Sequence, residues 1–220
     1  MNATNVTLNS VGSVVINGGT FANLTVSASN NRGDATSISQ GTQAFTVNNT
    51  GTIDVQSGLM SVGVSTFNHD APGLVQVGGA GTMNLGGTGS GAGSYALTGT
   101  LNLTGGTQTL ANGSAITGSG LFNVNGGTLA VGPGATVHGQ NVTLASGGIA
   151  GAGTLVVDGT FGWTGGTQSG TGLTQVSNTG TLSIGGGSAK TLSQRTFVSQ
   201  AAAGTWTGTG AIDLNNAGVF

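Results

Sequence analysis

The 220-residue chain has no cysteine, no glutamate and only two prolines, and its charged residues are three basic and five acidic side chains. Without cysteine, disulfides and thiolate metal ligands are excluded. A formal net charge of −2 offers no electrostatic footprint for nucleic acid or for an anionic membrane. The near absence of lysine and glutamate also argues against a helical protein, because these residues favour helices.

Long apolar runs are absent as well. No stretch approaches the roughly 20 apolar residues of a membrane-spanning helix. Residues 1–17 lack the basic start and the apolar run of a signal peptide. We therefore expect a soluble segment, with any export signal removed or outside this sequence.

Glycine is what the chain has in abundance, with 46 residues, which is about three times the average usage of roughly 7%. Glycine-rich chains are often disordered, but disorder goes with high net charge and few apolar residues. Here 36% of the residues are apolar and 4% are charged, and apolar and polar positions alternate. This alternation, bounded by Gly, Asn and Ser, predicts short strands with one buried face and an all-β fold. Typical triplets are Val6-Thr7-Leu8, Phe45-Thr46-Val47, Val75-Gln76-Val77, Phe122-Asn123-Val124, Val142-Thr143-Leu144 and Ile212-Asp213-Leu214.

A Gly-Thr phrase followed by an apolar–x–apolar triplet recurs along the chain, with Gly at positions 19, 51, 81, 99, 127, 153, 180 and 204. The spacings of 32, 30, 18, 28, 26, 27 and 24 residues have a mean of about 26, which lies in the range of solenoid repeats. The pattern predicts a parallel β-helix (β-solenoid) of about eight coils of roughly 26 residues. A sandwich or an antiparallel barrel would explain the strands but not the spacing.

The stacking of coils explains the composition and predicts the organisation of the chain. Like residues would lie above like at about 4.8 Å, so columns of like charge would repel each other, and the turns need glycine. We expect one continuous solenoid, less regular in residues 1–95, with loop insertions at 28–43 and 67–73, and regular in residues 96–220. The segment 98–108 returns as 158–168, sixty positions later. The predicted core ladder consists of Ile53, Val55, Leu101, Leu103, Leu155, Val157, Leu182 and Ile184.

Several phrases in the second half carry a resemblance. They are Phe161-Gly-Trp-Thr-Gly-Gly-Thr-Gln-Ser-Gly170, Gly180-Thr-Leu-Ser-Ile184, Lys190-Thr-Leu-Ser-Gln-Arg-Thr-Phe197 and Gly204-Thr-Trp-Thr-Gly-Thr-Gly210. Together they resemble repeat-rich bacterial surface proteins similar to filamentous haemagglutinins and autotransporter passengers. The resemblance covers the last 60–120 residues well and the first 95 only in style. It implies a right-handed parallel β-helix and an extracellular rod, adhesin or matrix component, and it carries over no catalytic residue.

Candidate sites are few. Arg32-Gly33-Asp34, in a polar insertion, resembles the integrin-recognition tripeptide and is a candidate adhesive loop, although a solvated turn is the simpler explanation. His69, with Asp70, and His138 lack further ligands at metal-site spacing, so no metal or cofactor site is predicted.

For Lys190 and Arg195 we expect apolar stems on the surface with solvated head groups. For Trp163 and Trp206 we expect packing rather than sugar stacking.

Catalysis is not predicted. General acid–base chemistry needs paired carboxylates within reach of each other. The five aspartates are spread over the whole chain, at Asp34, Asp54, Asp70, Asp158 and Asp213.

The sequence therefore predicts a structural or adhesive extracellular β-solenoid, a rod or self-assembling fibre subunit of the bacterial cell surface or matrix. A threonine-faced module that binds ice or a crystalline polysaccharide is the alternative, and a polysaccharide-active β-helix enzyme is the second alternative. Terminal coils expose backbone and apolar surface unless they are covered. We expect end-to-end self-association or continuation in a longer polypeptide, with a host or matrix glycan or protein as a further partner.

Overall fold

The structure is a computed structural model that describes residues 45–220 continuously. Before them it describes the backbone of the strands at 2–3, 6–8, 13–16, 19–21, 24–26 and 35–40. The described residues form 27 strands and no helix. The strands are β1 (Asn2–Ala3), β2 (Val6–Leu8), β3 (Ser13–Ile16), β4 (Gly19–Phe21), β5 (Leu24–Val26), β6 (Ala35–Gln40), β7 (Phe45–Asn49), β8 (Thr52–His69), β9 (Leu74–Gly91), β10 (Ser94–Leu97), β11 (Thr100–Leu103), β12 (Thr107–Leu110), β13 (Ala115–Thr117), β14 (Leu121–Val124), β15 (Thr128–Val131), β16 (Thr136–Gly139), β17 (Val142–Leu144), β18 (Gly148–Gly151), β19 (Thr154–Val157), β20 (Thr160–Trp163), β21 (Gly166–Ser169), β22 (Leu173–Val176), β23 (Thr181–Ile184), β24 (Lys190–Ser193), β25 (Thr196–Ser199), β26 (Ala203–Trp206) and β27 (Ile212–Asn215).

The strands stack in parallel as a β-solenoid. From β10 onward each strand pairs with the third strand after it, as in β10–β13, β11–β14 and β12–β15, so that three strands make one coil. The long strands β8 and β9 each follow a complete coil and pair with each other along most of their length. Eight coils therefore lie between residues 52 and 215. The prediction of an all-β parallel solenoid of about eight coils is confirmed.

The coil length of roughly 26 residues is not confirmed. Partners in register are 18 residues apart at Met83 and Leu101, 21 at Leu101 and Phe122, and 24 at Gly166 and Lys190. The estimate was too long because the Gly-Thr phrase marks different corners of the coil. From Gly99 to Gly127, for example, the chain completes one coil and one further strand. The sixty-residue repeat is three coils, since Leu101 pairs with Phe122, which pairs with Val142, which pairs with Phe161.

Three faces follow from the pairing. The first face comprises β10, β13, β16, β19, β22 and β25, together with residues 52–55 and 74–77. The second face comprises β11, β14, β17, β20, β23 and β26, together with residues 59–63 and 82–86. The third face comprises β12, β15, β18, β21, β24 and β27, together with residues 45–49, 66–69 and 88–91. Side chains alternate between interior and surface, as the buried–half-buried alternation of β11 and β14 shows.

The interior is a set of in-register apolar columns. On the second face one column holds Met60, Met83, Leu101, Phe122, Val142, Phe161 and Leu182, and the next holds Val62, Leu85, Leu103, Val124, Leu144, Trp163 and Ile184. All eight residues of the predicted core ladder are buried, the most accessible being Leu182 at 9%. Each burial of a Leu or Val side chain contributes about 1.5–3 kcal/mol, so these columns are the main source of stability.

The insertions proposed for residues 1–95 are placed in part. Strand β8 continues to His69, and Phe67 and His69 are buried, so the loop proposed at 67–73 is limited to residues 70–73. Phe67 pairs with Val47 in the ladder, which explains why it is strand rather than loop. In the proposed insertion 28–43, residues 35–40 form β6, and the others lie outside the described residues.

Asparagine side chains outside the coil also align. Asn102 Nδ2 donates to Asn84 Oδ1 at 2.9 Å, and Asn123 Nδ2 donates to Asn102 Oδ1 at 2.9 Å. Asn68 Nδ2 donates to Asn48 Oδ1 at 2.8 Å in the same manner. These ladders link successive coils through side chains as well as backbone.

Candidate functional site

A column of threonines runs along the third face. Its members are Thr46, Thr66, Thr88, Thr107, Thr128, Thr167 and Thr191, with Gly148 between Thr128 and Thr167 and with Asp213 after Thr191. All seven are half-buried or exposed, and in every case except Thr88 the residue that follows is buried. In this column Thr107 N donates to Thr88 Oγ1 at 3.3 Å. We call this surface the threonine face.

The neighbouring column of the threonine face is made of short side chains. It holds Asn48, Asn68, Ser90, Thr109, Ala130, Ala150, Ser169 and Ser193. The two columns are about 6.6 Å apart along each strand, and successive coils are about 4.8 Å apart. The result is a regular lattice of hydroxyl, methyl and amide groups without a long or charged side chain before Asp213.

A groove of about 430 Å³ lies at the corner between the first and second faces. Its polar lining comprises Thr98, Thr100, Ser119, Asn141, Thr143 and Thr160, and no ionisable side chain of the described part of the chain lines it. Asn141 builds the wall, since its Nδ2 donates to Ser119 O at 3.1 Å and to Gly120 O at 3.3 Å, while its Oδ1 accepts from Thr160 N at 3.0 Å. We call this the corner groove.

His138 and Asp158 form a pair on the surface beside the corner groove. His138 Nδ1 and Asp158 Oδ2 are 2.7 Å apart, and the side chains are 60% and 28% exposed. The pair is brought together because β16 and β19 are neighbours in the stack, with Asp158 N donating to Gly139 O at 2.9 Å. The sequence did not reveal this pair. The sequence signal that could have found the pair is the separation of 20 residues between the two side chains, which is close to the length of one coil. It was missed because the coil length was overestimated.

The other described aspartates do not come together. Asp54 accepts from Gln56 Nε2 at 3.1 Å near one end of the described solenoid, Asp70 is exposed in the 70–73 loop, and Asp213 lies exposed on the last coil. In the described part of the chain, no group of three or more His, Cys, Asp or Glu side chains is placed to hold a metal ion.

His69 is buried inside the coil. Its Nε2–H donates to Ser94 O at 2.9 Å, and its Nδ1 accepts from Asn49 Nδ2 at 3.1 Å. Burial lowers the pKa of the imidazole, so the neutral form is the one that these two bonds hold. The Tyr95 ring packs edge-on against it, with ring centroids 4.8 Å apart, and burial raises the pKa of the Tyr95 hydroxyl. His69 is thus part of the interior packing.

The expectation that Lys190 and Arg195 keep solvated head groups is wrong, because both side chains are fully buried. Lys190 stands in the inward phase of β24, opposite Gly166 of the preceding coil, and its Nζ donates to Ser188 O at 3.0 Å.

Arg195 lies at the corner between the third and first faces. Its Nε donates to Thr174 Oγ1 at 2.8 Å, its Nη2 to Leu173 O at 2.9 Å, and its Nη1 to Gly151 O at 3.0 Å. Longer bonds of 3.4 Å reach Ser169 O and Gly153 O. Burial lowers the pKa of the guanidinium to about 10, which leaves it charged at neutral pH. Arg195 therefore joins three coils through backbone carbonyls.

The two tryptophans differ in how deeply they are buried. Trp163 is fully buried in the second-face column, whereas Trp206 continues that column on the last coil and is 56% exposed. Phe220 covers part of this end, with its ring centroid 5.2 Å from that of Phe197 and 6.0 Å from that of Trp206. Exposed apolar side chains on this coil, which we call the end patch, are Val198, Trp206, Leu214, Val219 and Phe220.

The candidate adhesive tripeptide Arg32-Gly33-Asp34 lies outside the described residues. Within residues that the structure describes, no helix has the length and apolarity to cross a membrane.

Comparison with known proteins adds no relative to this picture. No protein-family model, curated protein or solved structure matches the chain.

Proposed function

We propose that the protein is a structural or adhesive β-solenoid of the bacterial cell surface or extracellular matrix, a rod or fibre subunit without a catalytic role. Its coils are held by ladders that continue from one end of the described part to the other. At about 4.8 Å per coil, the eight coils between residues 52 and 215 form a rod of about 38 Å. The resemblance to exported bacterial repeat proteins supports the surface location.

The burial of the basic side chains supports a role outside the cell, where proteases are common. Trypsin-like proteases cleave after lysine or arginine, and Lys190 and Arg195, the basic residues in the part from 46 to 220, are both fully buried. A folded rod of this kind gives such proteases no exposed target in that part.

The end patch is the observation that carries the rod or fibre proposal. Trp206 pairs with Ile184 and Leu214 pairs with Leu192, so both continue interior columns, yet they are 56% and 55% exposed. A further coil, from the same polypeptide or from a second copy, would bury them and pair the open strand edges. Stacking of this head-to-tail type does not close and produces filaments.

The test is sedimentation velocity over a concentration series together with negative-stain electron microscopy. We expect rods that lengthen with concentration, and we expect Trp206→Lys with Leu214→Lys to shorten them. Thr109→Lys, on the side of the rod, is the matched control and should behave as the wild type. A wild-type protein that stays monomeric at high concentration contradicts self-assembly, and globular particles contradict the rod.

We also propose right-handed winding. A connection between parallel strands of one sheet is right-handed in about 98% of cases, and the resemblance implies the same hand. A density map that resolves the chain trace tests it, because a left-handed coil is then directly visible.

The threonine face favours a second candidate, a module that binds ice or a crystalline polysaccharide. Its two columns repeat in two directions, as the surface of a crystal does. Thr128→Tyr would break this lattice, whereas Ser183→Tyr on the second face would not. We expect thermal hysteresis or retention on crystalline cellulose to be lost only in Thr128→Tyr. Absence of both activities in the wild type contradicts this candidate.

A further inference from the structure

The corner groove has hydroxyl groups without an internal role. The side chains of Thr100, Ser119, Thr143 and Thr160 make no hydrogen bond with any other group among the described residues. The amide of Asn141 is different, because its bonds to Ser119 O, Gly120 O and Thr160 N hold the wall in place. The groove therefore combines a fixed wall with four hydroxyls that are free to bind a ligand.

The electrostatics of the corner groove disfavour anionic ligands. Among the described residues no lysine or arginine lines it, and Lys190 and Arg195 are buried elsewhere in the solenoid. The nearest charged group is the His138–Asp158 pair, two residues before Thr160 and three before Asn141 in sequence. An anionic ligand would find no cationic side chain in the groove and a carboxylate beside it.

The geometry of the corner groove suits an extended ligand. Its polar residues come from four successive coils, those of β11, β14, β17 and β20. Each coil therefore contributes one of these hydroxyls, at axial steps of about 4.8 Å over roughly 14 Å. Thr100 and Thr160 lie in one column, and Ser119 and Thr143 lie on either side of it. Hydroxyl groups that repeat at a coil spacing match a polymer whose own hydroxyls repeat along an extended chain.

We propose that the corner groove binds a linear neutral polysaccharide lying along the rod axis. The hydroxyls of Thr100, Ser119, Thr143 and Thr160 bond to sugar hydroxyls, and Asp158 accepts from a sugar at one end of the groove. This deepens the adhesive part of the proposed function, on which it rests, by naming a neutral glycan as the partner class.

The experiment is calorimetric titration of the full chain with cello-, xylo- and manno-oligosaccharides, with oligogalacturonate as the acidic comparator. The test variant is Thr143→Val with Thr160→Val, which removes two hydroxyls and keeps the side-chain shape. The matched control is Thr136→Val with Thr154→Val on the first face, outside both the corner groove and the threonine face. We expect at least one neutral oligosaccharide to bind, with the test variant weakened roughly tenfold or more and the control unchanged. Melting temperatures of both variants check the fold.

Three results overturn the proposal: none of the neutral oligosaccharides binds, oligogalacturonate binds as tightly, or the test variant binds as the wild type does. Electron microscopy of the same samples separates this from the rod proposal, since rods without glycan binding reject only the groove.

Discussion

Replacing Arg195 by methionine should destabilise the last coils. The side chain is fully buried, and its bonds to Thr174 Oγ1, Leu173 O and Gly151 O are 2.8, 2.9 and 3.0 Å long. Methionine fills a similar stem volume but donates no hydrogen bond. The carbonyl of Gly151 keeps its bond from Gly172 N at 3.1 Å, so part of the acceptor set stays satisfied after the substitution.

Two opposing effects set the size of the stability loss in Arg195→Met. Three short charge-assisted bonds contribute about 5–9 kcal/mol at 1.5–3 kcal/mol each. Against this, the lowering of the Arg195 pKa from its usual 12.5 to about 10 by burial corresponds to a cost of about 3 kcal/mol for the charged form. The bonds therefore outweigh desolvation, and we expect Arg195→Met to lose about 2–6 kcal/mol of unfolding free energy. Arg195→Lys keeps the charge but not the planar fork and should lose about 2 kcal/mol.

The assay is urea denaturation followed by circular dichroism, combined with hydrogen exchange resolved by residue. Because stability in a solenoid is a sum over neighbouring coils, faster exchange should be confined to the coils near Arg195, while Leu101 and its neighbours keep wild-type protection. Arg195→Met as stable as the wild type, or more stable, would refute the reasoning, because desolvation would then exceed the hydrogen bonds. Arg195→Lys at wild-type stability would show that charge alone matters.

Three further predictions concern the core, a corner and pH. Leu101→Asp should lose at least about 4 kcal/mol of unfolding free energy, because a fully buried side chain becomes an unpaired charge. Thr109→Asp, at an outward position, should lose less than about 1 kcal/mol. Equal losses for the two variants in urea titrations would reject the strand register. Gly151→Ala should cost about 2 kcal/mol or more, since its φ is +94° and a Cβ would collide with a backbone carbonyl of the previous coil. Gly105→Ala, with open space around it, should be near neutral, and similar melting temperatures for the two variants would contradict the corner geometry. Burial lowers the pKa of His69 below 6.5, so in mild acid the unfolded state takes up a proton that the folded state does not. The free energy of unfolding should therefore fall as the pH drops below about 6.5, by at most about 1.4 kcal/mol per pH unit. His69→Gln should flatten this dependence, and an unchanged slope between pH 5 and 8 would show that His69 is not its source.

The alternation of apolar residues was enough to predict the strands and their buried faces. Leu101 and Leu103 are inward because a strand places every second side chain on the same face, and the all-β solenoid follows from repeating such triplets. The coil length was harder, because the Gly-Thr phrase occurs at all three corners and its spacing is not the spacing of equivalent positions.

Long-range polar contacts could not be predicted without that register. Arg195 bonds to Gly151 O and Leu173 O, which lie 44 and 22 residues earlier, and carbonyl acceptors leave no trace in the side-chain sequence. Lys190 did carry a signal, since it stands two residues before the buried Leu192 and therefore in the inward phase of its strand. The corner groove gathers residues from several coils, so its hydroxyls become neighbours only once the coil length is known.

Immunogold electron microscopy of the cells that produce the protein tests the central proposal most directly. An antibody raised against the folded chain is applied to intact cells and to thin sections. An extracellular rod or fibre subunit predicts gold particles on intact cells, aligned along surface fibres or matrix. Label confined to the cytoplasm in sections, with none on intact cells, would contradict it.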